Sequence, residues 1–417
     1  TFFDYDRDGD LDVYVLNNQS PGPNTQRRLG GDRLYRHDTS ATGPERFVNV
    51  SEQAGLTKNP IGHGLSATVS DVNRDGWPDL YVANDFEGED RLYINQGDGT
   101  FTDAIHSWVD HMSTSSMGAD IADYNNDGRP DIFVLDMLAE GNRRQKLLAI
   151  SPTPLYRDSP QYTRNMLQLN NGNGTFSEIG QLAGVSNTDW SWAALFADFN
   201  LNGLKDLYVT NGVPRDQTNL DFQYSRRAEV RGEQSRTPSD LYELAQKIPS
   251  TPIPNYVFRN EGNLTFEDVS TDWGLAKKGF SNGAAYADFD RDGDLDLVVS
   301  NVNERAWVYR NNATERTDRH SLRVELEGTD RNRFGIGAKV TLKTPEGETH
   351  YQEMMPARGF QSSVEPVLTF GLGKTEEVDL TVRWPDQTRQ SISDVRVDQT
   401  VTLRQEEAVP FETSLDG

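Results

Sequence analysis

One nine-residue pattern, D-x-[DN]-x-[DN]-G-x-x-D, occurs five times in this 417-residue chain. The copies are DYDRDGDLD (Asp4–Asp12), DVNRDGWPD (Asp71–Asp79), DYNNDGRPD (Asp123–Asp131), DFNLNGLKD (Asp198–Asp206) and DFDRDGDLD (Asp288–Asp296). Carboxylates crowded this closely repel one another, so a chain that keeps repeating them needs something to hold them together. A hard cation does this. Oxygens at positions 1, 3 and 5 converge as the loop curls, and Gly at position 6 allows the sharp turn. Position 7 offers its backbone carbonyl, and a carboxylate at position 9 closes the shell. Such a shell suits Ca²⁺, which takes six to eight oxygens, better than Mg²⁺, which retains water.

The expected ligands are Asp4, Asp6, Asp8, Asp10 and Asp12 in the first loop, then Asp71, Asn73, Asp75, Trp77 and Asp79 in the second. The third offers Asp123, Asn125, Asp127, Arg129 and Asp131, the fourth Asp198, Asn200, Asn202, Leu204 and Asp206, and the fifth Asp288, Asp290, Asp292, Asp294 and Asp296. Position 7 acts through its backbone, so the Asp10 and Asp294 side chains are expected to point outward. The first and fifth loops carry four charged ligands each, and the fourth carries two. Affinity follows ligand charge, so of up to five calcium sites the one at 198–206 is expected to be the weakest. The alternative for each loop is a solvated acidic turn without metal.

An EF-hand is excluded by what surrounds the loops. Its loop has twelve positions, ends in a bidentate Glu and lies between helices. Here position 12 is Val15, Val82, Val134, Val209 and Val299. The flanks, such as LSATVSD before and DLYVAND after, are β-branched and aromatic runs of strand length. Each loop therefore joins two strands. A second pattern lies between the loops: RLYINQGDGTFTDAI from Arg91, MLQLNNGNGTFSEIGQLAGV from Met166, YVFRNEGNLTFEDVSTDWGL from Tyr256, and a stretched version from Arg33. Each reads as strand, Gly/Asn turn, strand. The loops start 67, 52, 75 and 90 residues apart, with about four short strands per repeat, which is the signature of a β-propeller blade.

Two intervals exceed a bare blade. The insertions at 137–165 and 213–255 carry the basic pairs Arg143–Arg144 and Arg226–Arg227, and are either solvated decoration or a docking surface. In the second, SDLYELAQKI is expected to form a short helix, with Thr237 as N-cap, Pro238 at N1 and Asp240 at N3. The propeller is thus expected over 1–315. From 316 to 408 the sequence alternates strongly (SLRVELEG, AKVTLKT, THYQEMM, PVLTFGLG, VDLTVRW, TVTLRQ), the pattern of an antiparallel β-sandwich. Residues 409–417 are left as a tail or linker. Arg358-Gly359-Phe360 and Trp384 either mark a binding surface or pack in the core and between domains, the latter preferred.

Composition narrows the function. There is no cysteine, hence no disulfide, thiolate metal site or thiol nucleophile. The formal net charge is −24, which disfavours nucleic acid as a partner. No run approaches the ~18 apolar residues of a membrane span. The first residues already read as a strand, with no initiating Met, so the numbering is expected to begin inside a longer or processed chain.

The acidic loops resemble FG-GAP/VCBS repeats, the calcium-bearing blades also seen in integrin α-chain propellers. NRFGIGAKVTL, RGFQSSVEPVLTFGLG and VRWPDQTRQ resemble an ASPIC/UnbV domain. The combination, over essentially the whole chain, is similar to bacterial members of the cartilage-acidic-protein-like (CRTAC) family. That resemblance implies an all-β fold with a seven-bladed propeller whose N-terminal part lies upstream, and a continuation after the second domain that begins near PFETSLDG. It also implies an exported protein at the cell surface, sometimes beside TonB-dependent transporters, with no established enzymatic activity. Asn202 departs from the repeat's usual Asp, which bears on occupancy of the fourth site.

Three functions follow. The leading one is a calcium-stabilised extracellular or cell-surface binding or adhesion module, non-catalytic, with a protein or polysaccharide partner. The second is a structural or accessory subunit of an outer-membrane surface assembly. The third is a carbohydrate-active enzyme on a propeller scaffold, which needs two free carboxylates at a set separation. Against it, the conspicuous carboxylates are committed to loops. His37, His63, His106, His111, His320 and His350 form no ligand or triad spacing, and no G-x-S-x-G or phosphate loop is present.

Overall fold

The computed structural model describes residues 1–17, 31–38, 46–56, 63–85, 88–148, 160–230, 242–243 and 245–410. Each acidic loop joins the first two strands of a small antiparallel meander, as its flanks require. The first sheet runs Phe2–Phe3, Asp12–Val15, Arg33–Asp38, Arg46–Asn49, and the second Gly64–Ser70, Asp79–Asn84, Arg91–Asn95, Phe101–Asp103. The third is Ala119–Ala122, Asp131–Val134, Met166–Asn170, Phe176–Glu178, and the fourth Ser191–Ala197, Asp206–Asn211, Tyr256–Asn260, Phe266–Asp268. The fifth has three strands among the described residues: Ser281–Ala287, Asp296–Asn301 and Trp307–Tyr309. First strands lie beside first strands from the second sheet to the fifth. Thr68 Oγ1, for example, donates to the Ala119 carbonyl at 3.2 Å.

The apolar cores lie between successive sheets. Tyr5, Leu34, Leu80 and Phe101 fill the first junction, Leu92, Ile105, Ile132 and Phe176 the second, Tyr124, Phe133, Leu167 and Phe266 the third, and Phe199, Tyr208, Val257 and Leu297 the fourth. A sheet buried on both faces needs apolar residues at almost every position; Asp79–Asn84 and Asp206–Asn211 are buried throughout. Five such blades are present among the described residues, against the seven that the resemblance implied.

The second domain is a β-sandwich around Val324, Val340, Phe370, Leu380 and Trp384. All six strands expected from alternation form. A seventh, Thr388–Arg396, was not expected; eight of its nine residues are exposed or half-exposed in a run that never alternates cleanly. The sandwich is not wholly antiparallel: Ser321–Glu327 pairs in parallel with Gln399–Arg404, in register Leu322↔Gln399 to Glu327↔Arg404. Alternation fixes which face of a strand is buried, not its direction. The chain between these first and last strands supplies the long crossover that a parallel pair needs. The domain also ends later than expected, because Val409–Pro410 pairs with Thr388–Arg389. Residues 411–417 lie outside the described residues.

Between the sandwich strands, a hairpin (Ala357–Arg358 with Ser362–Ser363) runs along the first strands of the blades. Gly359 bridges Ala119, and its carbonyl accepts from Ser66 Oγ at 3.1 Å. Phe360 lies 5.0 Å from Trp192, centroid to centroid. Arg358 makes a two-point contact with buried Asp120 at 2.7 and 2.8 Å and reaches the Tyr286 hydroxyl at 3.1 Å. Arg358, Phe360 and Trp384 are therefore packing residues, not an exposed recognition surface.

In the second insertion Tyr242, Glu243, Ala245 and Gln246 are helical, while Thr237, Pro238 and Asp240 lie outside the described residues. A helix at Leu220–Val230 was missed. Its signal was Asn219, whose Oδ1 accepts the Phe222 N–H at 3.0 Å as an N-cap does. The insertions meet where Arg144 pairs with Asp189 and Asp216.

Candidate metal centres

The five loops share one hydrogen-bond plan. The position-1 carboxylate accepts backbone N–H groups from positions 5 and 6: Asp8 and Gly9 on Asp4, Asp127 and Gly128 on Asp123, Asn202 and Gly203 on Asp198, Asp292 and Gly293 on Asp288. In the second loop Gly76 donates to Asp71 at 2.9 Å. The side chain at position 5 accepts from the N–H at position 7 in every loop. Position 4 (Arg7, Arg74, Asn126, Leu201, Arg291) is left-handed, with φ between 58° and 61°, and the Gly at position 6 has φ between 80° and 99°. Five copies of a conformation unfavourable to L-residues persist because the surrounding hydrogen bonds dictate it.

Position 9 ties each loop to its sheet. Its carboxylate accepts the position-2 N–H and, on its other oxygen, a third-strand N–H: His37 on Asp12, Asn95 on Asp79, Asn260 on Asp206 and Asn311 on Asp296, at 2.7–3.0 Å. In the third loop the Asn170 N–H binds Asp131 Oδ1 at 2.8 Å, while Asp131 Oδ2 has no hydrogen-bond partner. The side chains of these asparagines were not foreseen as functional. Asn95 donates to Pro78 of its own loop and to Tyr5 of the preceding one. Asn170 bridges Pro130 and Val72, Asn260 bridges Lys205 and Tyr124, and Asn311 bridges Leu295 and Phe199. Each loop is thus latched to its neighbour. The signal was visible as an Asn ending the third strand of the second, third and fourth sheets and standing two residues past that of the fifth, with His37 in the corresponding place of the first.

The loops fit a cation. Asp4, Asp6 and Asp8, and likewise Asp288, Asp290 and Asp296, bring carboxylate oxygens within 4.8 Å of one another. Ligands opposed across a calcium ion lie about 5 Å apart at most, so each set fits one coordination sphere. Buried Asp6 Oδ1 and Asp71 Oδ1 have no hydrogen-bond partner. Burial pushes the Asp4 carboxyl up to about 7 and Asp12 up to about 8, and holds Asp79, Asp131 and Asp206 well above the usual carboxylate range. Buried acids with this little compensation would be relieved by a cation.

The fourth loop differs. Asn200 turns its amide nitrogen onto Asp206 at 2.9 and 3.2 Å, and its Oδ1 accepts from Arg319 at 2.6 Å. Arginine only donates and a carboxylate only accepts, so the partners fix the amide orientation. The position-3 oxygen is therefore already bound to a guanidinium. One expectation fails: Asp10 and Asp294 do not face solvent but are 1% and 0% exposed. Asp294 accepts from the Thr314 N–H and hydroxyl at 3.0 and 3.1 Å, and Asp10 lies 3.5 Å from His37 Nδ1. Their side chains turn from the loop toward neighbouring elements, which leaves the position-7 backbone on the loop side.

The sandwich sits on this loop face. Lys339 binds the Asp71 carboxylate and Arg323 that of Asp288. A Cβ on Gly371 would lie 2.0 Å from Asp198 Oδ2. Arg7, at position 4 of the first loop, donates to the Pro385 carbonyl at 3.0 Å. Of the histidines, His106 lies 3.0 Å from Glu89, His320 2.7 Å from Asp398, and burial pushes His350 down to about 4.

Two family models match, one in each domain. Residues 71–134, 155–209 and 250–299 match FG-GAP-like repeats, and 328–410 match ASPIC and UnbV. Cartilage acidic protein 1 of Homo sapiens is 28% identical over 370 residues, covering 86% of this chain and 46% of its own length. That of Xenopus tropicalis is 27% identical over 367 residues, covering 86% and 47%. The chain spans about half the length of these relatives. A lectin of Agrocybe aegerita that recognises non-reducing terminal N-acetylglucosamine aligns over 75% of this chain and 65% of its own, at 15% identity and TM-score 0.35. The Vibrio cholerae biofilm matrix protein Bap1 aligns over 92% and 58%, at 11% identity and TM-score 0.24. No helix among the described residues is long and apolar enough to cross a membrane. The chain has FG-GAP-like repeats, an ASPIC and UnbV domain and homology to cartilage acidic protein 1, a combination consistent with a CRTAC-like family.

Proposed function

We propose that the chain is a calcium-stabilised extracellular adhesion module, non-catalytic, whose rigid loop face carries the second domain. The observation that carries this reading is the fivefold recurrence of one loop cage around buried, under-compensated carboxylates. Asp4, Asp6, Asp8 and Asp12 would hold the first ion, and Asp288, Asp290, Asp292 and Asp296 the last. A bound dication supplies the charge that offsets repulsion, and its binding free energy becomes folding free energy. The position-9 carboxylate transmits that stabilisation to the third strand, and the Asn latch carries it to the next blade. Homology to cartilage acidic protein 1 and the acidic surface support an exported setting at the cell exterior, with a protein or polysaccharide as partner.

Calorimetric titration of EDTA-treated protein with CaCl₂, with thermal unfolding in parallel, tests the reading. Four strong sites, a weaker fifth and a rise in Tm on the order of 10 °C or more are expected. An unchanged melting curve with no heat of binding would overturn it.

A further inference from the structure

The second domain meets the loop face through two basic side chains, and both land on carboxylates that the loops would offer to an ion. Lys339 binds Oδ2 of Asp71 and Arg323 binds Oδ2 of Asp288, the position-1 residues of the second and fifth loops. All four side chains are largely buried, the acids at 3% and 0% exposure and the cations at 15% and 11%. The Asp71 carboxylate is divided in its use. Oδ2 takes Lys339 and the Gly76 N–H, while buried Oδ1 has no hydrogen-bond partner. The Asp288 oxygens accept the Asp292 and Gly293 N–H groups, so this carboxylate keeps its orientation without the guanidinium.

Each cation has a second acid to turn to within its own domain. Lys339 stands directly across a strand pair from Glu353. Glu353 also accepts the Asp71 N–H at 3.3 Å, so the ammonium has only a short way to turn. Arg323 gives its other amino group to Glu365 at 2.7 Å. Neither glutamate belongs to a loop. Charge sets the direction of the coupling. A dication and an ammonium or guanidinium on one carboxylate repel each other, and burial screens that repulsion poorly. An ion in the second loop therefore weakens the hold of Lys339 on Asp71, and by linkage Lys339 weakens the ion by the same factor. With Glu353 or Glu365 beside it, a cation that lets go is not left buried and unpaired.

We propose that Lys339 and Arg323 form a calcium-responsive clasp between the two domains. They hold Asp71 and Asp288 when the loops are empty and turn to Glu353 and Glu365 when the loops are loaded, so the second domain's grip on the propeller loosens as calcium binds. The inference rests on the calcium reading above. The two-point contact of Arg358 with Asp120 lies outside the nine-residue loops, so the domains stay joined while the clasp opens. The second loop is the cleaner case, because in the fifth Arg310 of the propeller also pairs with Asp290 and Asp292.

Trp77 is the only tryptophan within the five loops, so terbium, a luminescent stand-in for calcium excited through tryptophan, reports on the second loop. Terbium is titrated into the intact, EDTA-treated chain and then displaced with CaCl₂. Lys339→Met keeps an apolar stem and removes the charge, and it should tighten both ions at this loop about fivefold or more. Lys339→Arg keeps the charge and should bind as the unaltered chain does. Lys343→Met, about 13 Å along the same strand, should also leave binding unchanged. Lys339→Met should lower Tm more in EDTA than in CaCl₂, because the clasp is closed only in EDTA. No terbium emission and no effect of calcium on Tm in the unaltered chain would overturn the calcium reading and this proposal with it. If the unaltered chain binds calcium, three results each overturn the proposal alone: binding by Lys339→Met that is unchanged or weaker, tightening matched by Lys343→Met, or an equal loss of Tm in both buffers.

Discussion

The first and fifth loops and the fourth loop share a backbone and differ in what fills it. All three have the left-handed residue at position 4, the position-1 carboxylate on two backbone N–H groups, and the position-9 carboxylate on the third strand. The first and fifth then converge three carboxylates on one point, with Arg323 on Asp288 and Arg310 on Asp290 at the margin of the fifth. The fourth places an amide nitrogen on Asp206 and a guanidinium on the remaining oxygen of Asn200. The loop shape can therefore be held in two ways: by a cation among carboxylates, or by hydrogen bonds from neutral and basic side chains that stand in for it. The difference teaches that loop geometry alone does not identify a metal site, and that the charge balance within it does.

The largest expected effect separates these two solutions. Asp296→Asn and Asp206→Asn each preserve shape and remove one charge. In the fifth loop the change should abolish a calcium site, worth about 2.7 kcal/mol of stability at a hundredfold excess of calcium over Kd. In the fourth, the weakest site, it should remove much less calcium-dependent stability. Both cost a common amount for the lost acceptor, about 1–3 kcal/mol for a buried unpaired donor. Melting each variant with and without EDTA isolates the calcium-dependent part. A calcium-dependent loss as large for Asp206→Asn as for Asp296→Asn would break the comparison.

An intermediate effect concerns pH in the metal-free protein. Burial raises the folded-state pKa of Asp4 to about 7 and of Asp12 to about 8, against about 3.9 in an unfolded chain. The folded state thus binds these protons more tightly than the unfolded state does. Their contribution is fully present below about pH 4 and is lost as pH rises through 7 to 8. In EDTA, Tm should fall by several degrees between pH 5 and 8. With calcium bound the carboxylates stay ionised and coordinated, so this slope should flatten. Asp12→Asn should remove part of the slope in EDTA. Parallel pH profiles with and without calcium would show that the buried acids are not the calcium-linked groups.

Much of this was legible because the repeat is local. Five copies of a nine-residue spacing give the loop, and Val at position 12 with β-branched flanks rules out a helical frame. What was hidden depends on partners distant in sequence. Nothing near Asn200 announces Arg319, which arrives 119 residues later. The asparagine latch recurs in plain view, yet its meaning lies in a carbonyl of the preceding blade, 90 to 136 residues away for Asn95, Asn170, Asn260 and Asn311. Asp10 and Asp294 sit at an exposed-looking position and are buried by elements outside the motif. The parallel pair in the sandwich escaped for the same reason: strand alternation carries no direction.

The smallest effect is the sharpest. Asn202 stands at position 5, where the other four loops have Asp8, Asp75, Asp127 and Asp292. Its Oδ1 already accepts the Leu204 N–H at 2.9 Å, as the aspartates at this position accept theirs. Asn202→Asp therefore keeps the loop's hydrogen bonds and adds one charged oxygen where a ligand is due. If charge is what the fourth loop lacks, calcium affinity there should rise about tenfold, roughly 1.4 kcal/mol, with Tm in EDTA unchanged or slightly lower from added repulsion. Arg319→Ala tests the other half, because it releases Asn200 Oδ1 without altering the loop. If charge and the guanidinium both oppose the ion, the double variant should bind more tightly than either single one. If Arg319→Ala alone restores a strong site, the position-3 oxygen decides the matter and the missing carboxylate is secondary. If neither variant changes the weakest phase of the calcium titration, the fourth loop is held by its hydrogen bonds alone, as a turn that shares the calcium-loop backbone without the ion.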